Sequence, residues 1–233
     1  MQAADEVAFL FDVDNTLLDN DRIAKDLKDH LAYEFGPASR DRYWTIFEER
    51  RQEVGYADYL GALQRYRLEL NNDPRLLLMS SFLVDYPFAD RVYPGALDAI
   101  AHVRAWGRTI IVSDGDVVFQ PRKVQRSGLW DAVDGRVLIY IHKEQVLGDV
   151  ERRYPAKHYV MVDDKLRILA AMKRVWQDRL TTVFAHQGHY ALDPTNNAVY
   201  PPAEIRIERI GDLVTYDLPA LRAASSTEPG SSS

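Results

Sequence analysis

Two aspartates stand one residue apart in FDVDNTLLDN, residues 11–20, directly after the apolar run VAFL. Like charges this close disfavour ionisation unless a cation offsets them. On an extended backbone Asp12 and Asp14 point the same way, because Val13 alone separates them. One can then attack an electrophile while the other moves a proton. Similar chemistry recurs further along the chain at Ser113, Asp114 and Gly115, at Lys143, and at Asp163 and Asp164. Several carboxylates in one pocket call for a hard divalent cation, and Mg2+ prefers oxygen ligands. A metal held by Asp12, Asp164 and a backbone carbonyl would neutralise a phosphoryl group, with Ser113 and Lys143 holding its remaining oxygens.

Such residues must be brought together by the fold. Five β-rich runs precede them or lie nearby: VAFLFD (7–12), RTIIVSD (108–114), GRVLIYI (135–141), HYVMVDD (158–164) and LTTVFA (180–185). Most are continuous apolar runs, the mark of strands buried on both faces of a parallel sheet. Helical patterns alternate with them at Gly95 to Trp106, Lys143 to Arg153 and Leu166 to Trp176. This alternation predicts an α/β, doubly wound parallel sheet. Ligands of such sheets bind outside the carboxyl ends of the strands, where the acids, hydroxyl and amine fall. A late edge strand followed by a short helix is expected near Glu204 to Leu213.

The first strand is followed by about eighty residues without a strand pattern. Asp21 to Phe35, Ser39 to Val54, Ala57 to Leu70 and Pro74 to Val84 read as amphipathic helices, with Ser39 suited to N-capping. A crossover of that length is better read as a helical insertion at 20–91, carried on a core made of 1–19 and 92–222. Residues 223–233, small and polar, read as a disordered tail.

Composition narrows the function classes. The formal net charge is −6 with no long basic run, which argues against nucleic acid. The absence of cysteine excludes thiol nucleophiles and cysteine-type zinc sites and fits a reducing cytoplasm. No run approaches the length of a membrane span, and no signal peptide is visible in MQAADEVAFLFDVD.

The chain resembles the haloacid dehalogenase (HAD) superfamily, in its phosphatase branch. Four motifs appear in order: FDVDNT at 11–16, IVSDG at 111–115, Lys143 in IHKEQ, and VMVDDK at 160–165. The resemblance covers roughly 7–20 and 92–215, the Rossmann-like core, and the first motif is its most specific part. It implies that Asp12 is the nucleophile and a Mg2+ ligand, and that Asp14 is the general acid/base and a metal ligand through its carbonyl. Thr16 would hold the turn. Ser113 would bind the transferring phosphoryl group, with Asp114 and Gly115 beside it, and Lys143 would orient that group. Asp164 would be the principal carboxylate of the fourth motif, with Asp163 its acidic neighbour at the metal. The insertion looks like a C1-type helical cap that selects substrate. Two departures stand out: Asp114 replaces a common Asn, and Glu144 replaces the Pro that often follows the lysine.

The second aspartate favours phosphoryl chemistry, since members that dehalogenate lack an acid there. The expected activity is therefore Mg2+-dependent hydrolysis of a small phosphorylated metabolite by a monomer or homodimer. A phosphomutase, a dehalogenase-like hydrolase and a non-catalytic phospho-ligand module are the alternatives. A receiver module is disfavoured because the third strand ends in IYIHKE without an aspartate.

Other residues read more plainly. His186 and His189 form an HxxH pair with Gly188 between them, which suits a loop at the site rim better than a zinc helix. The aromatics Tyr43, Trp44, Phe47, Tyr56, Tyr59 and Tyr66 lie at helical spacing and suit packing. Arg50, Arg51, Arg65 and Arg67 suit a solvated face, from which one could reach an anionic substrate. Gln120, Arg122 and Lys123 follow the second strand and could approach the site.

Overall fold

The computed structural model describes residues 5–70 and 73–226. Six parallel strands form one sheet in the order β3-β2-β1-β4-β5-β6. They are β1 (Asp5–Phe11), β2 (Arg108–Asp114), β3 (Val137–Tyr140), β4 (Ala156–Asp163), β5 (Leu180–Ala185) and β6 (Ile205–Ile207). From β1 the chain winds outward through β2 and β3, then returns to β4 on the other side of β1. The switch point of the sheet thus lies between β1 and β4, where a ligand crevice opens.

Alternate residues of β1 enter two separate apolar clusters. Val7, Phe9 and Phe11 join one, and Ala8 and Leu10 join the other. Both faces of the strand are therefore covered, which is why its sequence is apolar without alternation. Ten more residues of β2 and β4 are fully buried in the same way, from Thr109 to Ser113 and from Tyr159 to Asp163.

Four helices follow β1 in the stretch 20–85, ahead of a further helix (Ala96–Arg104) and β2: α1 (Asn20–Phe35), α2 (Pro37–Val54), α3 (Tyr59–Arg67) and α4 (Leu76–Asp85). Their apolar faces continue the cluster on one face of the sheet, through Leu27, Tyr43, Phe47 and Met79. Rings join the segment to the sheet domain, with Tyr59 and Phe88 lying 5.4 and 5.8 Å from Phe119. The N-terminus of α2 differs from expectation. The helix starts at Pro37 behind Gly36, and Ser39 lies inside it without a capping bond. Proline at the first helical position needs no N–H partner, so it opens the helix two residues early.

The remaining helices are α5 (Ala96–Arg104), α6 (Phe119–Arg126), α7 (Leu129–Ala132), α8 (Leu147–Arg153), α9 (Leu166–Trp176), α10 (Gly188–Leu192), α11 (Pro194–Asn197) and α12 (Leu218–Ala223). The helix expected from Lys143 to Arg153 is split: Lys143–Gln145 form a 3-10 turn and α8 begins at Leu147. The side chain of Asp114 accepts the Lys143 N–H at 2.8 Å and fixes that turn. Of the expected tail, 224–226 form a 3-10 turn after α12, and 227–233 lie outside the described residues. No helix among the described residues is long and apolar enough to cross a membrane.

Candidate active site

The site begins where β1 ends. The Asp12 N–H donates to the Val162 carbonyl at 3.0 Å, so the β1–β4 ladder runs one residue past the strand. The chain then turns sharply. The N–H groups of Thr16, Leu17 and Leu18 all converge on the Val13 carbonyl, at 3.2, 2.9 and 3.0 Å. Asn15 adopts a positive φ of 62° to make this turn, a conformation that asparagine tolerates better than most residues. Gly188 packs against it so closely that an added Cβ would lie 2.5 Å from the Asn15 Cβ. The Thr16 hydroxyl lies 3.5 Å from Asp12 Oδ2, a long contact beside the turn it belongs to.

Four strand ends bring their polar residues to this turn. Lys143 Nζ lies 2.6 Å from Asp12 Oδ1 and 2.6 Å from Asp163 Oδ2. Asp163 Oδ1 also accepts the Lys165 N–H at 2.9 Å, whereas its buried Oδ2 has the ion pair with Lys143 and no hydrogen bond of proper geometry. Asp164 differs: it is fully buried and neither carboxylate oxygen has a hydrogen-bond partner. Oxygens of Asp12, Asp163 and Asp164 lie within 4.8 Å of one another. A buried carboxylate without partners is costly, and a coordinated cation is the usual remedy.

Electrostatics agree with that requirement. Burial pushes the carboxyls of Asp163 and Asp164 up, Asp164 most strongly, and the neighbouring lysines only partly offset it. Burial would raise Asp12 as well, but Lys143 and Lys165 outweigh it and hold Asp12 below its ordinary value. Burial would lower Lys143, yet Asp12, Asp163 and Asp114 raise it, so it stays protonated. Three carboxylates against two ammonium groups leave the cluster short of positive charge, and the donors are all hard oxygens that suit Mg2+.

Asp14 is handled separately. Its side chain lines the cavity and stays 19% exposed, while Lys123 Nζ, at 1% exposure, meets its Oδ1 at 2.7 Å. Lys123 also donates to Asn20 Oδ1 at 3.0 Å. Ser113 is buried; Gln120 donates to its Oγ at 3.0 Å, and the hydroxyl itself makes a long bond to the Asp114 carbonyl at 3.4 Å. Of the three residues after β2 that could approach the site, Gln120 and Lys123 reach it. Arg122 turns away to Asp85 at 3.2 Å. The Gly115 N–H donates to the Tyr140 carbonyl at 2.9 Å, so it is tied to β3 and is no free donor to a phosphoryl oxygen. What Gly115 provides is room, since a Cβ there would lie 2.7 Å from Gln120 Cβ.

A model of haloacid dehalogenase-like hydrolases matches residues 7–175, most of the chain. The chain belongs to the haloacid dehalogenase-like hydrolase family. A haloacid dehalogenase-like hydrolase from Burkholderia xenovorans LB400 is 66% identical, with 93% of this chain and 99% of that one covered at a TM-score of 0.88. A family hydrolase from Xanthomonas campestris aligns at 18% identity and TM-score 0.62, over 96% and 94% of the two chains. The L-2-haloacid dehalogenase of Xanthobacter autotrophicus aligns at 17% identity and TM-score 0.58, over 89% and 96%. At those two identities the likeness speaks for fold alone. A search of curated proteins gives no significant match.

Within this haloacid dehalogenase-like fold, a cavity of about 630 Å3 opens between the α1–α3 segment and the ends of β1, β2 and β4. His189 and Tyr190 line it, so the segment after β5 does rim the site, though as the short helix α10 and not as a loop. The two histidines do not share a ligand: His186 meets Glu208 at 2.9 Å, and His189 meets Asp21 at 2.5 Å. Of the helix aromatics, Tyr43 and Tyr66 are core, whereas Trp44, Phe47, Tyr56 and Tyr59 also line the cavity. Arg50 pairs with Asp58 and Arg65 with Glu53, while Arg51 reaches the cavity wall. Lys123 and Lys165 are the site cations that sequence reading undervalued. Lys165 directly follows the acidic pair, and Lys123 follows Gln120 by three residues on one face of α6. Neither position carries a signal until the partner carboxylate is placed beside it.

Proposed function

We propose that this hydrolase cleaves phosphate monoesters with the help of Mg2+. The observation that carries this reading is Asp14, a carboxylate at the cavity wall, two residues beyond Asp12 and held at 2.7 Å by buried Lys123. An alkoxide leaving group needs a proton and a halide does not, so a positioned acid beside the nucleophile suits an oxygen ester.

In the proposed reaction, a carboxylate oxygen of Asp12 attacks phosphorus in line with the ester oxygen. The phosphorus–oxygen bond to the leaving group breaks, and Asp14 gives that oxygen its proton. Water then attacks the aspartyl phosphate while Asp14 takes its proton back. The bond to Asp12 breaks, inorganic phosphate leaves and both residues return to their starting states. Ser113 and Lys143 hold the transferring oxygens, and Lys143 keeps Asp12 ionised. Asp12, Asp164 and the Asp14 carbonyl would hold the Mg2+, with Asp163 kept beside them by Lys143. The ion supplies charge neutralisation for the dianionic phosphoryl group. The helical segment at 20–91 serves as a cap that shapes the leaving-group side of the cavity.

The test is hydrolysis of p-nitrophenyl phosphate with and without Mg2+, run beside halide release from L-2-chloropropionate. The rival substrate is chosen because a dehalogenase of that class shares the fold. Phosphate release that needs Mg2+ and Asp12 supports the proposal. Halide release with no phosphate release would replace it.

A further inference from the structure

Five lysines and arginines line the cavity in front of Asp12 and Asp14, and they differ in what holds them. Lys25 meets Asp29 at 2.6 Å and Arg167 meets Glu144 at 2.7 Å, so both are tightly paired. Lys28, Arg51 and Lys165 are not. Lys28 rests over the Trp44 ring at 4.1 Å. Arg51 has one loose contact, Nη1 to Glu48 at 3.5 Å. Lys165 lies 3.8 Å from Asp164, beyond hydrogen-bond range.

Two of these cations border the same ring. The Arg51 guanidinium lies 5.3 Å from the centre of the Tyr190 ring, and Lys165 Nζ lies 5.0 Å from it. They come from opposite walls, Arg51 from α2 and Lys165 from the end of β4. Of the acids that line the same cavity, Glu48 has only its loose contact with Arg51, and the other three are committed elsewhere. Asp14 is bound by Lys123, Asp21 by His189 and the Asn15 amide, and Asp114 by the Lys143 N–H. The cavity therefore presents cationic donors in excess, beside aromatic surface from Trp44, Phe47 and Tyr190.

We infer that the leaving group of the substrate carries a second anionic group, a carboxylate or another phosphate, on a body flat enough to lie against these rings, and that Arg51 and Lys165 bind that anion. This rests on the phosphatase reading and sharpens it. A guanidinium with free donors, and an ammonium that borders an aromatic ring and has only a 3.8 Å ion pair with Asp164, can both take an incoming oxyanion.

The experiment is calorimetric binding of benzylphosphonate, 4-carboxybenzylphosphonate and p-xylylenediphosphonate to the full chain with Mg2+. At least one compound with a second anion should bind about tenfold tighter than benzylphosphonate, the gain expected of one charge-assisted hydrogen bond. Comparison of the carboxylate with the second phosphonate identifies which anion is preferred. That margin should collapse in Arg51→Met and in Lys165→Met, with folding of both checked by circular dichroism. Equal affinity for all three compounds in the wild-type chain overturns the inference, as does a margin that survives both substitutions. If no phosphonate binds and phenyl phosphate is not cleaved, the phosphatase reading itself fails and this inference falls with it.

Discussion

Lys123 Nζ sits 2.7 Å from Asp14 Oδ1, and the lysine is buried to 1% exposure. A buried ammonium is stable only when paired, so the two side chains hold each other in place. Lys123 belongs to α6, more than a hundred residues from Asp14. Lys123→Met should therefore leave Asp14 free to leave its productive position. The expected loss in kcat is about tenfold to a hundredfold, the range of 1.5–3 kcal/mol carried by a hydrogen bond to a charged group. Steady-state kinetics on p-nitrophenyl phosphate measure it, and an unchanged kcat would show that Asp14 needs no such support.

Asp12 and Asp14 should fail differently. Asp12→Asn removes the attacking oxygen charge and should lower kcat by about a thousandfold or more. Asp14→Asn keeps the nucleophile and loses the base that activates water. Intact-mass spectrometry of Asp14→Asn mixed with substrate should show the added mass of one phosphoryl group, and Asp12→Asn should show none. A phosphorylated Asp12→Asn chain would move the nucleophile elsewhere.

Asp164 gives a stability test of the metal site that does not depend on turnover. Its two oxygens are buried without partners. Without Mg2+, Asp164→Asn should raise Tm, by about 2–4 °C for each kcal/mol of relieved burial in a chain of this size. Mg2+ at about 100 times its Kd should stabilise the wild-type protein by about 2.7 kcal/mol. The variant should show little of that gain. Differential scanning fluorimetry with and without Mg2+ reads both effects; equal Mg2+ shifts in the two proteins would place the ion elsewhere.

Burial lifts the Asp114 carboxyl to about 6 from an ordinary 3.8, with Lys143 acting against the rise. Between those values the folded protein keeps a proton that the unfolded chain has released. Stability contributed by this group is thus fully present below about pH 4 and is lost as pH rises through about 6, by up to about 3 kcal/mol. Asp114→Asn abolishes the titration and keeps an oxygen to accept the Lys143 N–H. Urea denaturation should find the variant more stable than the wild-type chain at about pH 8, with the advantage shrinking towards about pH 4. A constant difference across that range would mean that Asp114 does not titrate as described.

Much of the sheet was readable because strands buried on both faces need apolar residues at every position. The runs at 108–114 and 180–185 match β2 and β5 end to end. Helix ends were less readable. Pro37 and the Asp114–Lys143 hydrogen bond set boundaries that periodicity does not record. The strand-end acids were visible because their spacing from each apolar run is local. Lys123, Lys165 and Arg51 look like ordinary surface cations until distant carboxylates and rings surround them.

The sequence by itself determined the parallel α/β sheet, the run of helices after β1 and the acids at the strand ends, since each depends on neighbours within a few positions. Tertiary structure alone decided which acid is paired and which is left bare. Lys143 pairs with both Asp12 and Asp163 and Lys123 with Asp14, while Asp164 has no hydrogen-bond partner. That division depends on ångström-scale distances between residues far apart in the chain, and electrostatic energy inside a protein varies steeply with such distances.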